Sequence, residues 1–257
     1  MSWWEVLLVV VAGVWAGGIN TVVGSGTLVT FPTLLALGVP PVTANVSNSV
    51  GLVAGGISGT WGYLPELKGA GRFVARLVPM SLLGAVTGAL LLLWLPPEAF
   101  EAVVPVLIGL GVLLVILGPR IQAWARRHHV EGAPDPAWHV VALMTGVLVA
   151  GVYGGYFGAA QGVILMGLLS TLSTEPIQRL NGIKNVLGMV VNAVGSLVFI
   201  IVSPELVSWP IALMVGTGAL LGGVIGARVG RRLPPDVLRA VIVVIGVVGI
   251  VKMVFFP

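Results

Sequence analysis

"EPIQRLNGIKNVLGMVVNAVGSLVFIIVS", from Glu175 to Ser203, is long and apolar enough to cross a bilayer, yet it keeps Lys184 inside, among Asn181, Asn185 and Asn192. A helix needs about 20 residues, at about 1.5 Å rise each, to cross the hydrocarbon. Thr174, Glu175 and Pro176 form a helix-start signal. Lys184 therefore sits ~12 Å along the helix, near the bilayer centre. Asn181, Lys184, Asn185, Gly188 and Asn192 recur at i, i+3, i+4, i+7 and i+11, which is one helical face. Ile183, Leu187, Val190 and Val194 lie on the opposite side. An earlier apolar segment carries a parallel stripe of Asn45, Asn48, Ser49, Gly55 and Gly59. A lysine at this depth costs about 2.5–3.5 kcal/mol on insertion scales, and helix packing does not require it. Either the ammonium snorkels to an interface or finds backbone carbonyls, or it is the counter-charge for an anion beside amide donors. The second reading makes the stripe a binding site.

Composition sets the solvent. The chain has 257 residues, 57% of them hydrophobic and 9% charged, with a mean hydropathy of +1.08. A soluble domain carries roughly 25% charged residues, so this chain cannot cover a globular surface with polar groups, and lipid must be its solvent. The 37 glycines and 17 prolines suit membrane helices, where small residues let backbones approach. The net charge of +4 does not point to nucleic acid, because the bases sit in short clusters between apolar runs. There is no cysteine, which excludes disulfides, thiol catalysis and Cys-ligated metals. "MSWWEVLLVVVAGVWAGG" has no base ahead of its apolar run and is expected to be a retained span.

Ten apolar segments follow, at roughly 3–23, 27–38, 42–64, 73–95 and 99–118, then 138–157, 161–173, 176–202, 208–230 and 236–256. Segments 27–38 and 161–173 are too short to cross comfortably, and they are expected either to cross or to enter and turn back. The two halves repeat each other. Gly84, Gly88, Pro96, Pro97 and Glu98 match Gly222, Gly226, Pro234, Pro235 and Asp236. "AGGINTVVGSG" at 16–26 matches "AGVYGGYFGAA" at 150–160, and "SNSVGLV" at 47–53 matches "KNVLGMV" at 184–190. Cytoplasmic loops carry excess Lys and Arg. Lys68, Arg72 and Arg76 precede or open the fourth segment of the first half, whereas Arg228, Arg231 and Arg232 follow the fourth segment of the second. Equivalent loops therefore fall on opposite sides. The central loop, with Arg120, Arg126 and Arg127, is expected in the cytoplasm and both termini outside. The expected fold is an all-α polytopic membrane protein with two inverted-topology repeats of about five helical segments each, and a short or broken helix after the first segment of each half. Its parts are 1–118, a cytoplasmic linker at 119–137, and 138–257. Such repeats build many secondary transporters, with substrate near the midplane where helices break.

The breaks add candidates. Gly24 and Gly26 free backbone amides, Ser25 and Thr27 offer hydroxyls, and a half-helix starting near Thr27 would point its positive end at a ligand. Gln161 follows the equivalent break. The expected substrate-binding set is therefore Lys184, Asn185, Asn181, Asn48, Asn45, Ser49, Gly24, Ser25, Gly26, Thr27, Gln161 and Asn192. Tyr153 and Tyr156 are read as packing, and Arg179 as an interfacial anchor. No other chemistry is visible. There is no G-x-x-x-x-G-K-[ST] for ATP, the histidines are His128, His129 and His139 at loops or edges, and Ser25 lacks an intramembrane His for proteolysis. No catalytic residue, metal site or cofactor is expected. All nine carboxylates (Glu5, Glu66, Glu98, Glu101, Glu131, Asp135, Glu175, Glu205 and Asp236) fall in loops or at segment ends, so no buried acid offers a cation-coupling site. A monoanion leaving a cell that is negative inside gains about 2.3 kcal/mol per 100 mV, so export needs no second ion.

At "AGGINTVVGSGTLVTFPTLLALGVPPVTANVSNSV" and "EPIQRLNGIKNVLGMVVNAVGSLVF" the chain resembles the sulfite exporter TauE/SafE family over nearly its whole length. The resemblance implies a multi-pass permease of the inner (plasma) membrane for a small sulfur oxyanion or organosulfonate such as sulfite or sulfoacetate. Many relatives read "G-I-G-G-G" where this chain has "GSGT", so Ser25 and Thr27 stand out. The expected partners are a small anionic substrate, the lipid bilayer and, optionally, further copies of the chain. The alternatives are a carrier of a cation or carboxylate on the same fold, and a membrane scaffold subunit without transport. The lysine argues against a cation, and the short loops against a scaffold.

Overall fold

A computed structural model of the chain describes residues 2–127, 137–230, 240–248 and 251, and among these every regular element is helical. In chain order they are α1 (Trp3–Val22), α2 (Thr27–Ala36), α3 (Pro41–Gly62), α4 (Gly71–Trp94), α5 (Pro97–Arg127), α6 (Ala137–Tyr156), α7 (Gln161–Leu172), α8 (Ile177–Val202) and α9 (Trp209–Ile225). A π turn at Gly226–Gly230 ends α9, and α10 covers 240–248. Among the described residues, six helices are long and apolar enough to cross a membrane: α1, α4, α5, α6, α8 and α9 with the start of its π turn. α3 has the length, at 22 residues, but its Asn and Ser stripe lowers its hydropathy. The protein is an all-α polytopic membrane protein.

One expectation needs adjusting. α5 does not stop at 118 but continues through Pro119 to Arg127, taking Arg120, Arg126 and Arg127 onto a helix. Proline inside a membrane helix is tolerated when neighbours or local adjustments satisfy the freed carbonyl. His128, His129, Glu131, Asp135, Arg231, Arg232, Pro234, Pro235 and Asp236 lie outside the described residues, as do the ends of segment 236–256.

Helices α1 and α9 pack through small residues, and so do α4 and α6. Gly84 lies against Leu148 and Gly88 against Val152; equivalently, Gly222 lies against Val14 and Gly226 against Gly18. The glycines that matched between the halves thus sit at matching contacts. Without a hydrophobic force between helices in lipid, such close backbone approach is what holds them together. Residue numbers rise together along these contacts (Gly13 with Val215, Gly17 with Ala219), so α1 and α9 run parallel, as do α4 and α6. Gly51, Gly55 and Gly62 meet Val215, Ala219 and Ala227, so α3 is parallel to α9 as well.

Leu, Val and Ile side chains cover the outside, and all eight tryptophans are exposed, several at helix ends: Trp3, Trp61, Trp94, Trp138 and Trp209. Lipid and its interfaces are the solvent that such a surface suits. Inside, Phe31 of α2, Phe100 of α5 and Phe157 form edge-to-face pairs at 5.1–6.4 Å, with Tyr156 on Phe100 at 5.6 Å. Arg179 behaves as the anchor it resembles. Its guanidinium pairs with Glu175 at 2.6 Å and donates to the carbonyls of Glu66 and Lys68, tying the start of α8 to the α3–α4 connection.

Candidate functional site

Both first helices break in the same way. The amides of Val23 and Gly24 donate to the carbonyl of Ile19 at 2.7 and 3.0 Å; those of Phe157 and Gly158 donate to Tyr153 at 2.9 and 3.1 Å. Gly24 has φ +91° and Gly158 φ +76°, a left-handed conformation that glycine adopts without strain. The next helix begins three residues on in each half, at Thr27 and Gln161. α7 then doubles back along α6, with Gln161 beside Gly154 and Leu168 beside Gly146. The two tips touch, the Gly162 amide donating to the Gly24 carbonyl at 3.0 Å.

A break inside lipid leaves carbonyls that must be satisfied internally, and the polar stripes do this across the halves. Lys184 donates through Nζ to Asn20 O at 3.4 Å and Thr21 O at 3.2 Å. Asn185 Nδ2 donates to Thr21 O at 3.2 Å. In exchange, Asn45 Nδ2 on α3 donates to Tyr156 O at 2.9 Å. The Lys184 amine thus stands at the negative end of α1, where the helix dipole favours a cation. The lysine meets backbone carbonyls at depth instead of snorkelling to an interface, and it is 2% exposed.

Tip contact and cross-capping enclose a hollow of about 30 Å³, with room for a water or two. Of the expected residues, Gly24, Thr27, Gln161, Lys184, Asn185 and Asn192 line it; Asn181, Asn45, Asn48, Ser49, Ser25 and Gly26 do not. The side chains and amides of the second group have partners elsewhere or none. Asn48 Oδ1 accepts from Thr30 Oγ1 at 2.5 Å and its Nδ2 donates to Thr27 Oγ1 at 3.4 Å, joining α2 to α3. Ser49 donates to its own helix at Asn45 O, and the Gly26 amide donates to Asn20 Oδ1 at 3.3 Å. Ser25 Oγ is buried without a partner, off the hollow. Asn20, Thr21, Gly158, Gly162 and Met189 join the wall unforeseen. Asn20 was findable, as an amide inside the first apolar span.

Among the described residues, no carboxylate stands on this wall. An ammonium has three donors, and two of Lys184's meet carbonyls. Gln161 Nε2, also on the wall, is buried with no partner. The hollow therefore offers positive charge and spare donors, and no anion of its own.

Tyr153 was read as packing, and it also donates its hydroxyl to Ala159 O at 2.5 Å, bracing the second break. Tyr153→Phe removes that bond and leaves a buried carbonyl short. It is expected to lower stability by about 1–2 kcal/mol, read as a lower midpoint for thermal unfolding in detergent.

Broken helices meeting tip to tip around a buried polar hollow, inside a bundle of lipid-facing spans, are the build of a secondary transporter. The chain belongs to the sulfite exporter TauE/SafE family, whose model matches residues 9–253. It is 27% identical over 248 residues to the probable membrane transporter protein YfcA of Escherichia coli strain K12, covering 93% of this chain and 86% of that one. It is 26% identical to the probable membrane transporter protein ORF9 of Sinorhizobium sp. (96% and 91% covered) and 24% identical to a probable membrane transporter protein of Haemophilus influenzae (93% and 91%). No solved structure matches the chain significantly. The family and these relatives support membrane transport rather than catalysis.

Proposed function

We propose that the protein carries a small anion, a sulfur oxyanion or organosulfonate of the sulfite or sulfoacetate kind, across the inner (plasma) membrane by alternating access. The observation that carries this reading is the Lys184 ammonium on a hollow whose wall bears no carboxylate. Lys184, Asn185, Gln161 and Thr27 supply charge and donors, and Gly24 and Gly162 let the two tips close on the ligand. In the loaded state the tips are drawn apart around the anion. Rocking of one half against the other does this and opens the site to each side in turn.

Opposite orientation of the halves is supported by helix direction. α1 and α3 run with α9, and α6 runs with α4. The connection Tyr63–Ala70 is too short for α4 to run the same way as α3, so α6 runs against α1. The basic end, with Lys68, Arg72, Arg76 and Arg120, is assigned to the cytoplasm and both termini to the outside.

A thermal-unfolding screen of the purified protein tests the ligand class. A ligand that binds only the folded chain raises stability by about 2.7 kcal/mol at 100 times its Kd. Sulfite, thiosulfate or a sulfonate is expected to give a saturating upward shift that chloride at equal ionic strength does not. A shift with organic cations alone would instead favour a cation carrier on the same fold.

A further inference from the structure

We propose that the basic end of the bundle holds one anionic phospholipid, its phosphate at Arg76 and its two acyl chains in the apolar hollows on either side of Leu172. The first hollow, of about 250 Å³, lies between the starts of α4 and α6, walled by Phe73, Leu77, Leu143 and Met144 with Arg76 among them. The second, of about 320 Å³, lies between α5 and α7, walled by Gly118, Ile121, Val163 and Leu168. Leu172, the last residue of α7, belongs to both walls. The two hollows are therefore neighbours separated by one side chain, as the two chains of one lipid are separated by its glycerol.

Charge selects the head group. Arg76 is exposed and does not pair with a carboxylate among the described residues. Arg76 lines the first hollow and is the guanidinium that the walls present. Arginine forms bidentate bonds with phosphate, and basic pockets between membrane helices bind anionic head groups. A water-soluble anion gains nothing from the apolar walls. A zwitterionic lipid brings its own ammonium, which weakens the pull of the arginine. The site shares no residue with the hollow at Lys184. It would steady α7, whose other end makes the tip contact between Gly162 and Gly24.

The test is thermal unfolding of the full chain, stripped of lipid in detergent and titrated separately with phosphatidylglycerol, phosphatidylcholine and inorganic phosphate. Phosphatidylglycerol is expected to raise the midpoint saturably, and the other two are not. Arg76→Gln should then need about tenfold more phosphatidylglycerol for the same shift. Leu172→Trp, which crowds both hollows and keeps the charge, should blunt the shift too. Equal shifts from phosphatidylcholine, an equal shift from inorganic phosphate, no shift at all, or an unchanged response in the arginine variant would each overturn the proposal.

Discussion

Lys184→Met is expected to cut anion flux from proteoliposomes by roughly a hundredfold or more while the chain still inserts and folds. Truncating one partner of a buried charge pair costs about 2–5 kcal/mol, and a factor of ten in affinity is about 1.4 kcal/mol. Methionine matches lysine in length and lacks its charge, so packing against α1 survives. Two effects are mixed in this variant, because Lys184 also caps Asn20 O and Thr21 O. Thr21 O keeps a donor in Asn185. Lys184→Gln separates the two, since its amide can still donate to a carbonyl but carries no charge. Both variants should lose flux, and the glutamine variant should unfold closer to the parent. Parental flux from Lys184→Gln would leave the lysine a helix cap and nothing more.

Gly24→Ala is expected to be severely damaging, because it combines a backbone clash with a left-handed φ. A Cβ there would lie 2.8 Å from the carbonyl carbon of Gly162, backbone against backbone, at φ +91°. The left-handed conformation costs an L residue roughly 1–2 kcal/mol, and overpacking typically adds about 1–3. Gly38→Ala is the comparison, because Gly38 shares the left-handed φ, at +79°, with nothing within 4 Å of the added methyl. It should lose only the backbone part. Unfolding midpoints in detergent should therefore fall much further for Gly24→Ala, with flux abolished even where some folded protein survives. Equal losses for the two variants would mean that the tips are not in firm contact.

The spans were legible because hydropathy and length set them almost alone. α1, α2, α7 and α8 start within a residue or so of where the sequence places them. The breaks were legible for a different reason: Gly24 and Gly158 must take a positive φ, and only glycine does so freely. The end of α5 was not legible, since Pro119 reads as a stop but stands inside the helix. The site was half legible. Periodicity put Asn181, Lys184, Asn185 and Asn192 on one stripe, yet it cannot tell which of them reach the hollow. Lys184, Asn185 and Asn192 do, and Asn181 does not. On α3 the stripe misled more, because Asn45 and Asn48 hold the other half's break and the start of α2. Nothing in one helix's spacing shows that its amides serve carbonyls more than a hundred residues away. The Lys184 caps on α1 are invisible in sequence for the same reason.

Whether negative charge passes the Lys184 hollow is read from the current of proteoliposomes on a solid-supported membrane under a sulfite gradient. The protein should give a transient with the sign of a moving anion, and Lys184→Met should give none. A current of cation sign, or an anion current undiminished in Lys184→Met, would contradict the account.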